Sequence, residues 1–238
     1  MFNFKFYTMN ERFFTPYVGP KYNEGICGKK VLVVGASFYC DKNGERNSFK
    51  CPYFEKCTNP ETKNSEPYNL ICPMYSPNGY KLQNEPTLAI ENCYKAYKTF
   101  ARFFSESVDN PDEGYSIWDR LAYTNYVQFF VPPKETKPSY LSERDLASFY
   151  ETLRELTPDV VITWGVVFTE EIRMKNEFVS QTEKNNLPEN EYYVWHMKLP
   201  EMEREITIIN CFHPSYPQKW NAEKDIFKKY IRKVFSLK

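Results

Sequence analysis

The sequence predicts an α/β domain built on a mostly parallel sheet of four strands, and three observations predict it. Four short apolar runs, Lys30 to Gly35, Leu121 to Val127, Val160 to Trp164 and Ile206 to Cys211, read as strands buried on both faces. Between them lie stretches whose apolar residues recur at helical spacing. Strands that alternate with helices join in parallel through right-handed crossovers.

The first strand, Lys30-Val31-Leu32-Val33-Val34-Gly35, is β-branched, continuous in its apolarity and ended by glycine. Residues 39–83 follow as an insertion holding four of the seven cysteines, rich in Pro, Asn, Lys and Glu and almost without periodicity. A structureless loop of that length is unusual inside a domain, so a metal orders it or it serves as a mobile lid. A helix is expected over Pro86 to Phe104, with Leu88, Ile90, Tyr94, Tyr97, Ala101 and Phe104 on one face. The second strand leads to a helix over Ser142 to Leu156, opened by Ser142-Glu143-Arg144-Asp145, where a serine cap and an acid three places later satisfy orphan amides. Pro158 stops that helix and forces extension into Val160. A helix over Val166 to Met174 follows the third strand. Tyr192 to Met197 alternates and is expected to pair with Glu205 to Asn210 as a hairpin around Pro200. A last helix is expected from Asn221 to Phe235.

Composition narrows the function classes. With 238 residues, 42% of them hydrophobic, the chain suits one domain, residues 1–238, around one core. No run approaches about eighteen uninterrupted apolar residues, and charges come too early in Met1 to Phe14 for an export signal, so no membrane contact is expected. Seven cysteines is an odd count in a chain too large to need disulfide staples, which points to reduced thiols and a cytoplasmic location. Lysine plus arginine equals aspartate plus glutamate at 31 each, so any nucleic-acid contact is local. The candidate is the basic stretch Lys219, Lys224, Lys228, Lys229, Arg232, Lys233 and Lys238, which reads equally as a solvated helix face.

In open parallel sheets ligands bind beyond the carboxyl ends of the strands. There this chain carries Gly35-Ala36-Ser37-Phe38-Tyr39, Thr124-Asn125-Tyr126, Trp164-Gly165 and Phe212-His213-Pro214-Ser215-Tyr216. The order of these motifs, with Pro132 and Pro133 after the second and Leu-Thr-Pro-Asp-Val-Val-Ile-Thr-Trp-Gly as the third, resembles the uracil-DNA glycosylase superfamily from Val31 to about Tyr216. The resemblance is greatest to the bacterial branch with an iron-sulfur cluster. The segment Gly35 to Cys40 is also similar to one in related uncharacterised bacterial proteins.

The resemblance implies a three-layer α/β/α sandwich that presents a flipped base at the strand ends, since chemistry at the glycosidic bond cannot occur inside the stack. It implies a hydrolase of DNA repair that binds DNA as a monomer. Asn125 matches the asparagine whose amide, both donor and acceptor, reads the edge of uracil; by itself an asparagine at a strand end is as well read as a turn former. His213 matches the histidine that stabilises the departing base, a task for a positioned donor in a dry site, although a histidine before Pro-Ser also caps turns. Gly35, Ala36, Ser37, Phe38, Tyr39, Trp164, Gly165 and Ser215 would line the base pocket, and Tyr216 would wedge into the stack while Trp220 anchors the last helix.

Ala36 departs from the pattern. Several branches place an acid or asparagine there to activate water, whereas alanine has no hydrogen-bonding group. Ser37, Asp41 and Glu45 are the candidate substitutes, and loss of catalysis with retention of binding is the rival expectation.

Cys40-x10-Cys51-x5-Cys57-x14-Cys72 has the ligand count for zinc or an iron-sulfur cluster, without the close Cys-x2-Cys pairs of zinc knuckles. The cluster-bearing branch takes one ligand near the position of Gln128, which is not cysteine here. Four reduced thiols are the alternative, and Cys27, Cys93 and Cys211 read as small buried hydrophobes.

Overall fold

The computed structural model describes residues 12–39, 53–72, 85–91, 95–109, 115–131, 137–185 and 193–237. In chain order these form β1 (Tyr17–Val18), β2 (Val31–Gly35), β3 (Phe38–Tyr39), α1 (Phe54–Thr58), α2 (Pro60–Ser65), α3 (Tyr68–Ile71), α4 (Pro86–Glu91) and α5 (Lys95–Ser107). Then come β4 (Leu121–Asn125), β5 (Phe130–Val131), α6 (Glu143–Leu156), β6 (Val160–Trp164), α7 (Val166–Lys175), α8 (Gln181–Asn185), β7 (Tyr193–Met197), β8 (Ile206–Cys211) and α9 (Pro217–Val234).

The main sheet has the order β1-β4-β2-β6-β8-β7. Its four central strands are parallel and are those the sequence predicts. The expected four-stranded sheet is extended to six by an antiparallel strand at each edge: Tyr17 pairs with Tyr123, and Tyr193 to Met197 with Asn210 to Ile206. The second of these is the expected hairpin. Every residue of β2, β4 and β6 is buried, because helices cover both faces. Fully burying an aliphatic side chain such as those of Val31 to Val34 contributes about 1.5–3 kcal/mol each.

Alternation along the strands divides the core in two. Val31, Val33, Leu121, Tyr123, Ile162 and Trp164 pack with Tyr97, Phe100 and Phe104 of α5 and Phe227 and Ile231 of α9. Leu32, Val34, Ala122, Val161 and Ile208 pack with Phe149 and Leu153 of α6 and Phe168 and Ile172 of α7. The architecture is a three-layer α/β/α sandwich.

Local chemistry accounts for most boundaries. Ser142 Oγ accepts from the Asp145 N–H and the Asp145 carboxylate accepts from the Ser142 N–H, the reciprocal cap that opens α6. The helix ends with Thr157 in a left-handed conformation before Pro158. Three expectations are corrected. The second strand stops at Asn125 rather than Val127, because the Tyr126 and Val127 N–H groups turn to the carbonyls of Gly35 and Ala36. The last helix begins at Pro217, four residues early, since a proline at the first helical position needs no amide partner. Residues 53–72 of the insertion hold three short helices rather than an irregular loop. The expected helix over 86–104 is seen as α4 and α5, with 92–94 outside the described residues.

Candidate functional site

Register puts the candidate residues on one level. Gly35 is paired with Asn125 on one side and with Trp164 on the other, and Trp164 is paired with Cys211, so four parallel strands end together. The loops beyond them are also joined. The Tyr126 N–H donates to the Gly35 carbonyl at 2.8 Å and the Val127 N–H to the Ala36 carbonyl at 3.0 Å, while the Gly165 N–H donates to the Cys211 carbonyl at 2.9 Å. Gly165 has φ of 138°, and a Cβ there would lie 3.0 Å from the Phe168 ring and 3.7 Å from the Ala36 Cβ. Glycine therefore supplies the left-handed backbone at this turn and leaves room for the Phe168 ring of α7.

Asn125 is 1% exposed. Its Oδ1 accepts a 3.1 Å hydrogen bond from Tyr123 Oη. Strand alternation explains the pair, because residues two apart share a face. Gly35 fits against both groups: a Cβ there would lie 2.2 Å from Asn125 Oδ1 and 2.4 Å from Tyr123 Oη. Asn125 Nδ2 is buried and has no hydrogen-bond partner among the described residues. An unmet buried donor costs about 1–3 kcal/mol.

His213 lies two residues past β8, its ring edge-on to Trp164 with centroids 5.6 Å apart. Nδ1 accepts from the Ser215 N–H at 3.2 Å and lies 2.6 Å from Ser215 Oγ. A nitrogen that accepts from an amide carries no hydrogen, so the network assigns the neutral tautomer with its hydrogen on Nε2. Burial works in the same direction and pushes the pKa down to about 4. His213 is a neutral donor at pH 7: burial keeps it neutral, and Ser215 sets which nitrogen carries the hydrogen.

The remaining candidates divide. Trp164 is fully buried in an aromatic cluster with Tyr97, Phe100, Trp118 and Tyr123, and it meets the site through His213. Ala36 and Ser37 are partly exposed. Phe38 and Tyr39 are strand-paired with Phe130 and Val131 in a separate two-stranded sheet. Tyr216 is 58% exposed, and Trp220 is buried against Phe103 and Phe227. On α9 the side chains of Lys219, Lys224, Lys229 and Lys233 are exposed, whereas Arg232 is paired with Asp109. Asp41 and Glu45 lie outside the described residues.

Among the cysteines, Cys40, Cys51 and Cys93 lie outside the described residues, and Cys57, Cys72 and Cys211 are buried. Cys27 is exposed, contrary to expectation. It sits with Gly28 between the bridged residues Ile26 and Lys29, both at positive φ, and a two-residue turn of that kind points its side chains at solvent.

Tyr123 and Gln128 bond to Asn125 and Asp145 holds Gln128, and none of the three is a site candidate in the sequence. Gln128 Nε2 donates to the Asn125 carbonyl at 2.8 Å, and Asp145 Oδ1 accepts from the Gln128 N–H at 2.9 Å. Only Tyr123 carries a local signal, its two-residue spacing from Asn125. No family model and no curated protein matches this chain.

Proposed function

We propose that the chain binds a nucleobase of DNA at the carboxyl ends of β4 and β8 and hydrolyses its N-glycosidic bond, the base being uracil or another damaged base. The observation that carries this reading is the buried Asn125 amide, its oxygen engaged by Tyr123 and its nitrogen unpartnered, on the level from which neutral His213 follows. In this reading Asn125 donates to a base carbonyl and His213 donates to the oxygen that gains charge as the base departs. Tyr216, exposed at the start of α9, fills the stack the base has left. The order of motifs shared with the uracil-DNA glycosylase superfamily supports the same chemistry. The odd count of seven cysteines, in a chain too large to need disulfide staples, supports a cytoplasmic location. Among the described residues no helix is long and apolar enough to cross a membrane.

Ala36 favours a second reading, in which the protein holds the base without cleaving it. One experiment separates the two. Purified protein is incubated with uracil- and hypoxanthine-containing oligonucleotides, and both binding and free base are measured. Hydrolysis predicts base release that falls about 100–1,000-fold in His213→Ala, the scale of one lost oxyanion donor. Binding without release establishes the second reading, and neither binding nor release ends both. Metal analysis and an ultraviolet-visible spectrum of anaerobically purified protein test for zinc or an iron-sulfur cluster on Cys40, Cys51, Cys57 and Cys72.

A further inference from the structure

Helix α2, inside the cysteine-rich insertion, sends Lys63 into the protein. Lys63 and Asp145 are both fully buried, with Nζ 2.6 Å from Asp145 Oδ2. Lys63 Nζ also donates to the Tyr140 carbonyl at 2.8 Å and lies over the Phe129 ring at 5.1 Å. Neighbouring Arg144 ties down the same helix: Nη1 donates to the carbonyls of Lys63 and Glu66, and its guanidinium stacks 3.5 Å from the centre of the Tyr68 ring.

Asp145 accepts more than the helix cap needs. Oδ2 takes the Ser142 N–H at 2.9 Å, Ser142 Oγ at 2.8 Å and Lys63 Nζ, while Oδ1 takes the Gln128 N–H at 2.9 Å. Three successive amides after Asn125 are therefore held from two sides: Tyr126 and Val127 by Gly35 and Ala36 at the end of β2, and Gln128 by Asp145 of α6. The Gln128 side chain then closes back on the Asn125 carbonyl and accepts from the Phe14 N–H at 3.2 Å. An unbroken buried chain runs from Lys63 through Asp145 and Gln128 to Asn125.

A buried ion pair commonly stabilises a fold no more than an apolar pair of the same volume, so stability does not account for Lys63. Geometry does. The two oxygens of a carboxylate accept from several donors at once, and Lys63 Nζ donates to the same Oδ2 that takes the Ser142 N–H while it also holds the Tyr140 carbonyl. We propose that Lys63 is a positioning residue for Asn125: through its hydrogen bonds to Asp145 and to the Tyr140 carbonyl, helix α2 fixes the loop 126–128 and with it the amide that reads the ligand. The part that concerns ligand reading rests on the function proposed above.

Backbone amide exchange of the full chain tests this without any ligand. In Lys63→Met, exchange at Tyr126, Val127 and Gln128 rises at least about tenfold relative to Val33, Ile162 and Ile209, which report global opening. In Lys63→Met/Asp145→Asn much of that protection returns, because an amide oxygen still accepts from the Gln128 N–H and no carboxylate is left in the core without its partner. Exchange that is unchanged at 126–128, that rises equally in the core, or that the second substitution does not relieve overturns the proposal. A parallel measurement uses a uracil-containing oligonucleotide. If wild type fails to bind while the local exchange effect is present, the brace stands and the nucleobase reading falls. If wild type binds and Lys63→Met binds equally despite a loosened loop, Lys63 does not position the site.

Discussion

Replacing Gly35 by alanine adds one methyl group at the centre of the candidate site. The backbone is ordinary extended strand, so the substitution by itself favours folding by about 0.4–1 kcal/mol through the unfolded chain. What opposes it is space. The new Cβ falls 2.2 Å from Asn125 Oδ1 and 2.4 Å from Tyr123 Oη, and those two atoms are bonded to each other at 3.1 Å. Tyr123 cannot swing away easily, because its ring is flanked by Tyr97, Trp118 and Trp164 at centroid distances of 5.1, 6.0 and 5.4 Å. Overpacking costs about 1–3 kcal/mol, and a buried hydrogen bond broken with its partners unmet costs a further 1–3 kcal/mol. Net destabilisation of about 2–4 kcal/mol is expected by urea titration, a fall in melting temperature of roughly 4–15 °C at this chain length. Tyr123→Phe removes one of the two clashing atoms, so Gly35→Ala/Tyr123→Phe recovers more than additivity allows. Wild-type stability in Gly35→Ala, or strict additivity in the pair, would show that the close approach of β2 and β4 at this level does not exist.

Two further outcomes follow from the same geometry. His213 is held neutral with its pKa at about 4 against 6.5 for an ordinary histidine, so between those values the unfolded chain binds a proton that the folded one refuses. Its stabilising contribution is full above pH 6.5 and declines as pH falls toward 4, by at most about 3 kcal/mol, an upper bound because part of the ring is exposed. The stability difference between wild type and His213→Gln, followed by urea titration from pH 7 to 4, must shrink over that window; a constant difference refutes the assignment. Tyr216→Ala is expected to weaken binding to duplex or damaged DNA by at least about 1 kcal/mol, the scale of one base stack, with thermal stability nearly unchanged. A large fall in melting temperature would instead make Tyr216 a packing residue.

The central strands were legible because helices bury both of their faces, which leaves continuous runs such as Val31 to Val34. Hairpin strand β7 was legible for the opposite reason: its edge position alternates burial from Tyr193 to Met197. Tyr17–Val18 is two residues long and carries no period to detect. The start of α9 is not legible from apolar spacing, because its first turn, Pro217 to Trp220, is marked only by a proline at the first helical position. In the site, strand ends were enough to align Gly35, Asn125 and Trp164. Lys63 was hidden for a physical reason: a lysine in a polar segment reads as solvated, and its burial is decided by Asp145, 82 residues away. Long-range compensation of charge leaves no local pattern.

The hydrogen-bond polarity of the site limits which ligand and which chemistry it can serve. Asn125 Oδ1 is confined between Tyr123 Oη and the Gly35 backbone, so the amide has its Nδ2 hydrogens to offer. His213 has Nδ1 committed to Ser215, so it too offers a hydrogen, from Nε2. A ligand that meets both groups brings acceptors, as the carbonyl oxygens of uracil or hypoxanthine do and an exocyclic amine does not. The same polarity disqualifies His213 as the base that activates water, since its one free nitrogen already carries a hydrogen and its pKa lies near 4. Ala36 supplies no substitute. If wild type releases base, the proton of the attacking water therefore goes to another group. Removing Ser37, Asp41 or Glu45 in turn, with oligonucleotide binding retained, identifies which of these residues accepts it.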